Sequence, residues 1–261
     1  MKVDWLLSAK QSIQSIRQIN VDSALSARLV GLIDLTSLNE TDTEASVAAF
    51  CNKANTPIGP VAAVCVYPQF VRMVAATFKA SRIRVATVVN FPEGNQPIEA
   101  VLADINQVIE DGANEVDVVF PYATYLAGDQ TYAHRFVEYC KAAVGDNIKL
   151  KVILETGALH EAETIANAAC DVISAGADFV KTSTGKIPEG ATLEAAAAIL
   201  LAIKSMSATH KKTVGLKVSG GIRELSEAAQ YVALAETIMG PTWVTPDTFR
   251  IGASKLVEKL I

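Results

Sequence analysis

From about residue 30 the chain alternates short apolar runs with longer, amphipathic, alanine-rich segments. The runs are Gly31 to Leu35, Val61 to Val66, Ile83 to Val89, Glu115 to Phe120, Leu150 to Leu154, Ala177 to Lys181, Thr213 to Val218 and Thr248 to Ile251. Near-continuous apolar strands belong to parallel sheets covered on both faces, and eight of them separated by helices predict a (β/α)8 barrel. Gly112 and Gly176 each close an amphipathic stretch, as helix C-terminal caps do. Ala228, Val232, Ala235 and Met239 keep helical spacing, so Glu224 to Met239 reads as the seventh helix. Ahead of the pattern, Ile13, Ile16 and Ile19 predict an extra N-terminal helical segment. The rival is an open doubly wound sheet, whose nucleotide-binding version needs a G-x-G-x-x-G that does not follow the first run. The expected organisation is one barrel domain over residues 1–261.

Charges do not belong in such strands, so the exceptions are informative. Those that stand out are Asp34, Asp117, Lys151, Lys181 and Lys217. Side chains alternate along a strand, so Asp117 inward places Glu115 and Val119 inward and Val116, Val118 and Phe120 against helices. Lys217 inward likewise places Gly215 inward. Lys151 reads as an interior ion pair with Asp117. Lys181 and Lys217 end the sixth and seventh strands as close neighbours. At ~4 Å their repulsion is on the order of 4 kcal/mol at an effective dielectric of ~20, or roughly 3 pKa units. That repulsion predicts a neutral amine at Lys181, which is the form that attacks a carbonyl.

Thr182-Ser183-Thr184-Gly185-Lys186 follows with hydroxyls, free N–H groups and a second cation, a good setting for an anion. Ser219-Gly220-Gly221 comes after the seventh strand. Gly252-Ala253-Ser254 comes after the eighth and is expected to open a last helix, whose positive end would favour phosphate. Leu256, Val257, Leu260 and Ile261 fit that helix docked on the barrel.

Composition narrows the class. The 261 residues are half hydrophobic and carry a net charge of −5, with a pI near 5.3. No basic block stands out, which argues against nucleic acid and anionic membranes as partners. No apolar run reaches transmembrane length. The four cysteines lack C-x-x-C spacing and Met1-Lys2-Val3-Asp4 starts no signal peptide, so reduced thiols and a cytoplasmic location are expected. His134, His160 and His210 stand apart from each other and from the cysteines, so no metal and no cofactor is expected.

The motifs that surround these residues are IDLTSLN (33–39), AVCVYPQF (63–70), ATVVNFPEG (86–94), NEVDVVFPY (114–122), LKVILETG (150–157), ADFVKTSTGK (177–186) and GLKVSGGIR (215–223). Together they resemble deoxyribose-phosphate aldolases, Schiff-base aldolases of class I, over residues 30–255. The resemblance implies reversible cleavage of 2-deoxy-D-ribose 5-phosphate to glyceraldehyde 3-phosphate and acetaldehyde, without a metal. It implies Lys181 as the Schiff-base lysine, Lys217 as the group that lowers its pKa, and Asp117 as a proton relay through water. It implies Gly185, Lys186, Gly220, Gly221, Gly252 and Ser254 at the phosphate, and Thr184 among the substrate-binding residues. Asp34 and Cys65 would line the pocket, with Cys65 open to modification by aldehydes. A homodimer is the expected assembly. The chain departs from the family at Val218-Ser219, at Lys255, which would add charge at the phosphate, and in ending at Leu260-Ile261 without a tail to a terminal tyrosine. Enamine protonation is therefore expected to use water and Asp117 alone. The reading that competes is a phosphate-binding barrel isomerase, or another Schiff-base aldolase; an isomerase gains nothing from a depressed lysine.

Overall fold

A computed structural model of the chain describes residues 4–16, 21–207 and 212–260. Met1 to Val3, Ile19, His210 and Ile261, which enter the expectations above, lie outside the described residues. Eight parallel strands close into a barrel: β1 (Ile33–Ser37), β2 (Ala63–Val66), β3 (Arg84–Val89), β4 (Glu115–Val119), β5 (Lys149–Ile153), β6 (Phe179–Lys181), β7 (Gly215–Ser219) and β8 (Phe249–Ala253). β1 pairs with both β2 and β8, which completes the ring. Every apolar run of the sequence supplies a strand. The first begins two residues later than its run, because Gly31 and Leu32 still belong to the turn that leaves the helix Ser23–Val30.

The strand parity holds. Val116, Val118 and Phe120 join the large apolar layer between strands and helices. Inside the barrel is a separate small apolar cluster of Leu38, Ala63, Cys65, Ala86 and Val88. The interior also holds Phe179 and a set of buried charged side chains. Gly215 faces inward, where any Cβ would lie 2.4 Å from the Phe179 ring. Both predicted caps are present. Gly112 and Gly176 have φ of 102° and 101°, and the N–H groups of Ala113 and Ala177 reach back to Val108 and Val172. This is the pattern of helix ends turned by a left-handed glycine.

The N-terminal helix Trp5–Gln14 packs on Leu193–Ser207 and on Ala162–Ser174. That explains a helix as apolar as LEAAAAILLAIKSMS, since a helix covered on both sides is hydrophobic nearly all round. The seventh helix runs Leu225–Met239, with Glu224 as its N-cap. The expected last helix is a correction. Gly252 and Ala253 finish β8, and only a 3-10 turn, Leu256–Lys259, follows. Its bonds run from Glu258 N–H to Lys255 and from Leu260 N–H to Val257, a span of three residues. Leu256, Val257 and Leu260 are nonetheless buried. Among the described residues the four cysteines are unpaired, and no helix is long and apolar enough to cross a membrane.

Candidate active site

Lys181 is the last residue of β6 and pairs in register with Lys217 on β7. Both are buried, Lys181 at 2% exposure. Asp117 on β4 lies between the two amines rather than beside them. Its Oδ2 accepts from Lys181 Nζ at 2.9 Å and from Lys217 Nζ at 2.8 Å. Its Oδ1 accepts from Lys151 Nζ at 2.8 Å, the ion pair expected from the sequence. Lys217 Nζ also pairs with Asp34 Oδ2 at 2.6 Å, and Lys151 Nζ with Glu115 Oε2 at 2.6 Å. Arg250 on β8 completes the set, with Nη1 on Asp34 Oδ1 at 2.6 Å and Nη2 on Glu115 Oε1 at 2.8 Å.

The consequence is a division among the cations. Burial pushes Lys181 below its ordinary value, and Lys217 adds to the push against the opposing pull of Asp117. Burial would do the same to Lys217 and Lys151. Asp117 and Asp34 overcome it for Lys217, and Asp117 and Glu115 for Lys151, so both are held above their usual range. Burial alone would raise Asp117, but Lys151, Lys181 and Lys217 hold it well below the carboxylate range. Desolvation is the largest cause at Lys181; the repulsion from Lys217 expected from sequence acts in the same direction but is smaller than the opposing pull of Asp117.

Above this layer a pocket of about 240 Å3 opens at the C-terminal end of the strands. Lys181, Lys217, Thr184, Gly185, Lys186, Gly220, Gly221, Gly252 and Ser254 all line it. Asp34, Cys65 and Asp117 do not line it; they are fully buried beneath. Burial raises the Cys65 thiol, with Asp117 adding to the shift against Lys217 and Lys181, which leaves less of the reactive thiolate. Lys255 is exposed and outside the lining, so its expected charge is not brought to the site. A larger groove of about 1350 Å3 lies against Arg82, Arg84 and Asp247. Those residues adjoin strand starts, the end of such barrels that carries stability rather than chemistry.

The loops at the mouth are tied to one another. Thr182 Oγ1 donates to Ser219 O and accepts from Ser219 N–H, both at 3.0 Å. Ser219 Oγ donates to Ser183 O at 2.6 Å, so the serine that departs from the family pattern fastens the loop after Lys181. Gly220 has φ of 92° and approaches Gly190 so closely that a Cβ on Gly190 would lie 2.2 Å from Gly220 O. At Gly252 a Cβ would strike Ser219 Cβ at 2.8 Å, with Lys217 Cε at 3.2 Å. Glycine there reflects close packing at a strand end, not a helix start. Lys186 Nζ reaches across the mouth to Leu38 O at 2.6 Å.

Sequence reasoning gave Arg250 no role and Glu115 no partner, and it passed over Glu155. Arg250 is a charge inside the eighth run, the same sign that marked Asp34 and Lys151. Glu155 lies two residues beyond the end of β5 in a left-handed conformation, φ 55°. Its carboxylate accepts from the Thr184 N–H and hydroxyl, and burial raises its pKa against those bonds. Its signal was an acid next to an apolar run. Among the described residues no three His, Cys, Asp or Glu side chains are grouped to hold a metal ion.

The fold is shared with known proteins. A solved structure from Toxoplasma gondii, provisionally assigned as a deoxyribose-phosphate aldolase, superposes with a TM-score of 0.84 at 26% identity over 91% of this chain and 93% of that one. A provisional assignment of the same kind from Coccidioides immitis gives 0.78 at 26% identity, over 98% and 96%. The deoxyribose phosphate aldolase of Aeropyrum pernix, described as a tetramer, gives 0.72 at 26% identity, over 97% and 96%. The profile of the DeoC/LacD family aldolases matches residues 28–241. The chain belongs to the DeoC/LacD family of aldolases.

Proposed function

We propose that this aldolase cleaves 2-deoxy-D-ribose 5-phosphate reversibly to D-glyceraldehyde 3-phosphate and acetaldehyde through a Schiff base on Lys181. The observation that carries the reading is the contrast among the buried cations: Lys181 alone is pushed toward the neutral amine, and it lines the pocket. A neutral amine adds to the C1 aldehyde of the open-chain sugar to give a carbinolamine, and loss of water gives an iminium. The iminium draws electrons from the C2–C3 bond. That bond breaks as the C3 hydroxyl loses its proton, releasing glyceraldehyde 3-phosphate and leaving an enamine. Protonation at the former C2 and hydrolysis return acetaldehyde and the amine. The electron sink is the iminium itself, so the reaction needs no metal.

Asp117 touches the amine directly and stays ionised, so it would orient the amine and pass its proton on toward water rather than hold it. The phosphate would bind at Gly185, Lys186, Gly220, Gly221, Gly252 and Ser254, which all line the pocket and can offer backbone N–H groups and a cation. Lys186 and Arg223 both line the pocket there, and Lys186→Ala should lose much of the preference for 2-deoxyribose 5-phosphate over 2-deoxyribose. A drop of about tenfold to a hundredfold in kcat/KM on the phosphorylated sugar, with little change on the free sugar, is the expected pattern. Equal losses on both sugars would move the phosphate elsewhere.

The proposal is tested by incubating the enzyme with 2-deoxyribose 5-phosphate in the presence of a chelator and measuring both products. Equimolar acetaldehyde and glyceraldehyde 3-phosphate at an undiminished rate is the expected result. Isomerised sugar phosphate without acetaldehyde would instead favour the isomerase reading, and loss of activity to the chelator would overturn metal independence.

A further inference from the structure

The lower interior of the barrel carries charge that no step above uses. Arg250, 3% exposed, pairs in register with Lys217 and stands over the Phe179 ring, 5.7 Å from its centroid. From Arg250 one line of ion pairs runs through Asp34 to Lys217, and a second through Glu115 to Lys151. Both lines end on Asp117. The connected set holds four cations, Lys151, Lys181, Lys217 and Arg250, against three carboxylates, Asp34, Glu115 and Asp117. Lys181 touches one carboxylate, already shared with two other lysines, whereas each other cation has at least two carboxylates.

We propose that Arg250 and Glu115 are positioning residues whose opposite charges, passed through Asp34 and Lys151, decide whether Lys181 holds its proton. Every charged or titratable group around Lys181 fits this account. Asp34 on β1, Asp117 on β4, Lys151 on β5, Lys217 on β7 and Arg250 on β8 belong to the set. Cys65 on β2 has its thiol form favoured by burial. The Glu155 carboxylate is occupied by Thr184. From β3 the interior receives Ala86 and Val88, which carry no charge. Fixed cations that are doubly paired keep their protons, and Lys181 is the member of the set left to give one up.

Removing the Arg250 charge leaves the carboxylates less compensated and favours the ammonium at Lys181. Removing the Glu115 charge does the opposite. A unit charge ~9 Å away at an effective dielectric of ~20 moves a pKa by about one unit. The test is the pH dependence of the reaction of pentane-2,4-dione with the enzyme. The diketone condenses with a neutral lysine amine, losing water, to give an enaminone followed by its ultraviolet absorbance and assigned by peptide mapping. No turnover is required. Arg250→Met should raise the midpoint for Lys181 by about one unit and Glu115→Gln should lower it by about one unit. The double variant should return close to the parent. Glu115→Gln keeps the shape of the side chain and carries the test if Arg250→Met does not fold.

Single variants with the parent's midpoint, or both shifted in one direction, would overturn the proposal, because a purely structural role gives no opposed shifts. The inference rests on the Schiff-base reading. A parent that forms no adduct at Lys181 would defeat that reading and this one with it, whereas an adduct with unmoved midpoints defeats this one alone.

Discussion

Lys181→Met should abolish the aldol reaction while leaving the fold intact. The variant keeps most of the length of the side chain and removes the one amine, among the described residues, that both lines the pocket and is pushed toward neutrality. Removing a covalent nucleophile typically costs several orders of magnitude, so a fall of at least about 10^4-fold in kcat is expected. Stability should move the other way. Lys181 is buried, shares its single carboxylate with Lys151 and Lys217, and is the cation in surplus. Replacing a poorly compensated buried ion by an apolar side chain of similar size is neutral or stabilising by up to a few kcal/mol. Thermal unfolding of parent and variant checks this, together with a retro-aldol assay. Lost activity with an unchanged or raised Tm fits a catalytic amine. A large fall in Tm would make Lys181 a structural cation.

Lys217→Leu should leave the amine in place and move its protonation. Lys217 repels the Lys181 ammonium, and it also neutralises Asp117 and Asp34. Its removal ends the repulsion and frees Asp117 to hold a proton on Lys181, so both effects raise the Lys181 pKa. The sign follows directly: the reactive form is the neutral amine, which populates as pH rises through that pKa. Activity at pH 7 should fall about tenfold for each unit the pKa rises, and recover as the medium becomes alkaline. The variant also leaves Asp34 and Asp117 short of a buried partner, at a cost of about 3–5 kcal/mol, so the profile is best recorded well below the variant's Tm. An unchanged pH profile would show that the two lysines are uncoupled.

The barrel was legible because its strands are buried on both faces and its helices end on glycine. Asp34, Asp117, Lys151, Lys181 and Lys217 could then be placed inward by strand parity, and all are buried; Asp178, of opposite parity to Lys181, pairs instead with Lys141 and Lys212. Who pairs with whom was less legible. Pairing depends on reach across the barrel, and Arg250 touches Glu115, which lies on the far side of the ring from β8. The same holds for Lys186, whose partner Leu38 O lies on the loop after β1. The end of β8 was misread for a different reason. Gly252 looks like a helix opener in sequence, and only the approach of Ser219 and Lys217 shows that it is a contact. Glu155 carries no periodic signature, because it sits where a strand stops and its conformation is set by the turn.

The central claim is that Lys181 forms a covalent imine with the substrate aldehyde. Its most direct test is to mix the parent enzyme with acetaldehyde, reduce with limiting borohydride near neutral pH, and map the peptides by mass. The account predicts one ethyl group on the peptide that contains Lys181, with matching loss of aldolase activity, and none on Lys151 or Lys217. Full aldolase activity in a sample that yields no adduct at Lys181, or an adduct on Lys217 instead, would contradict it.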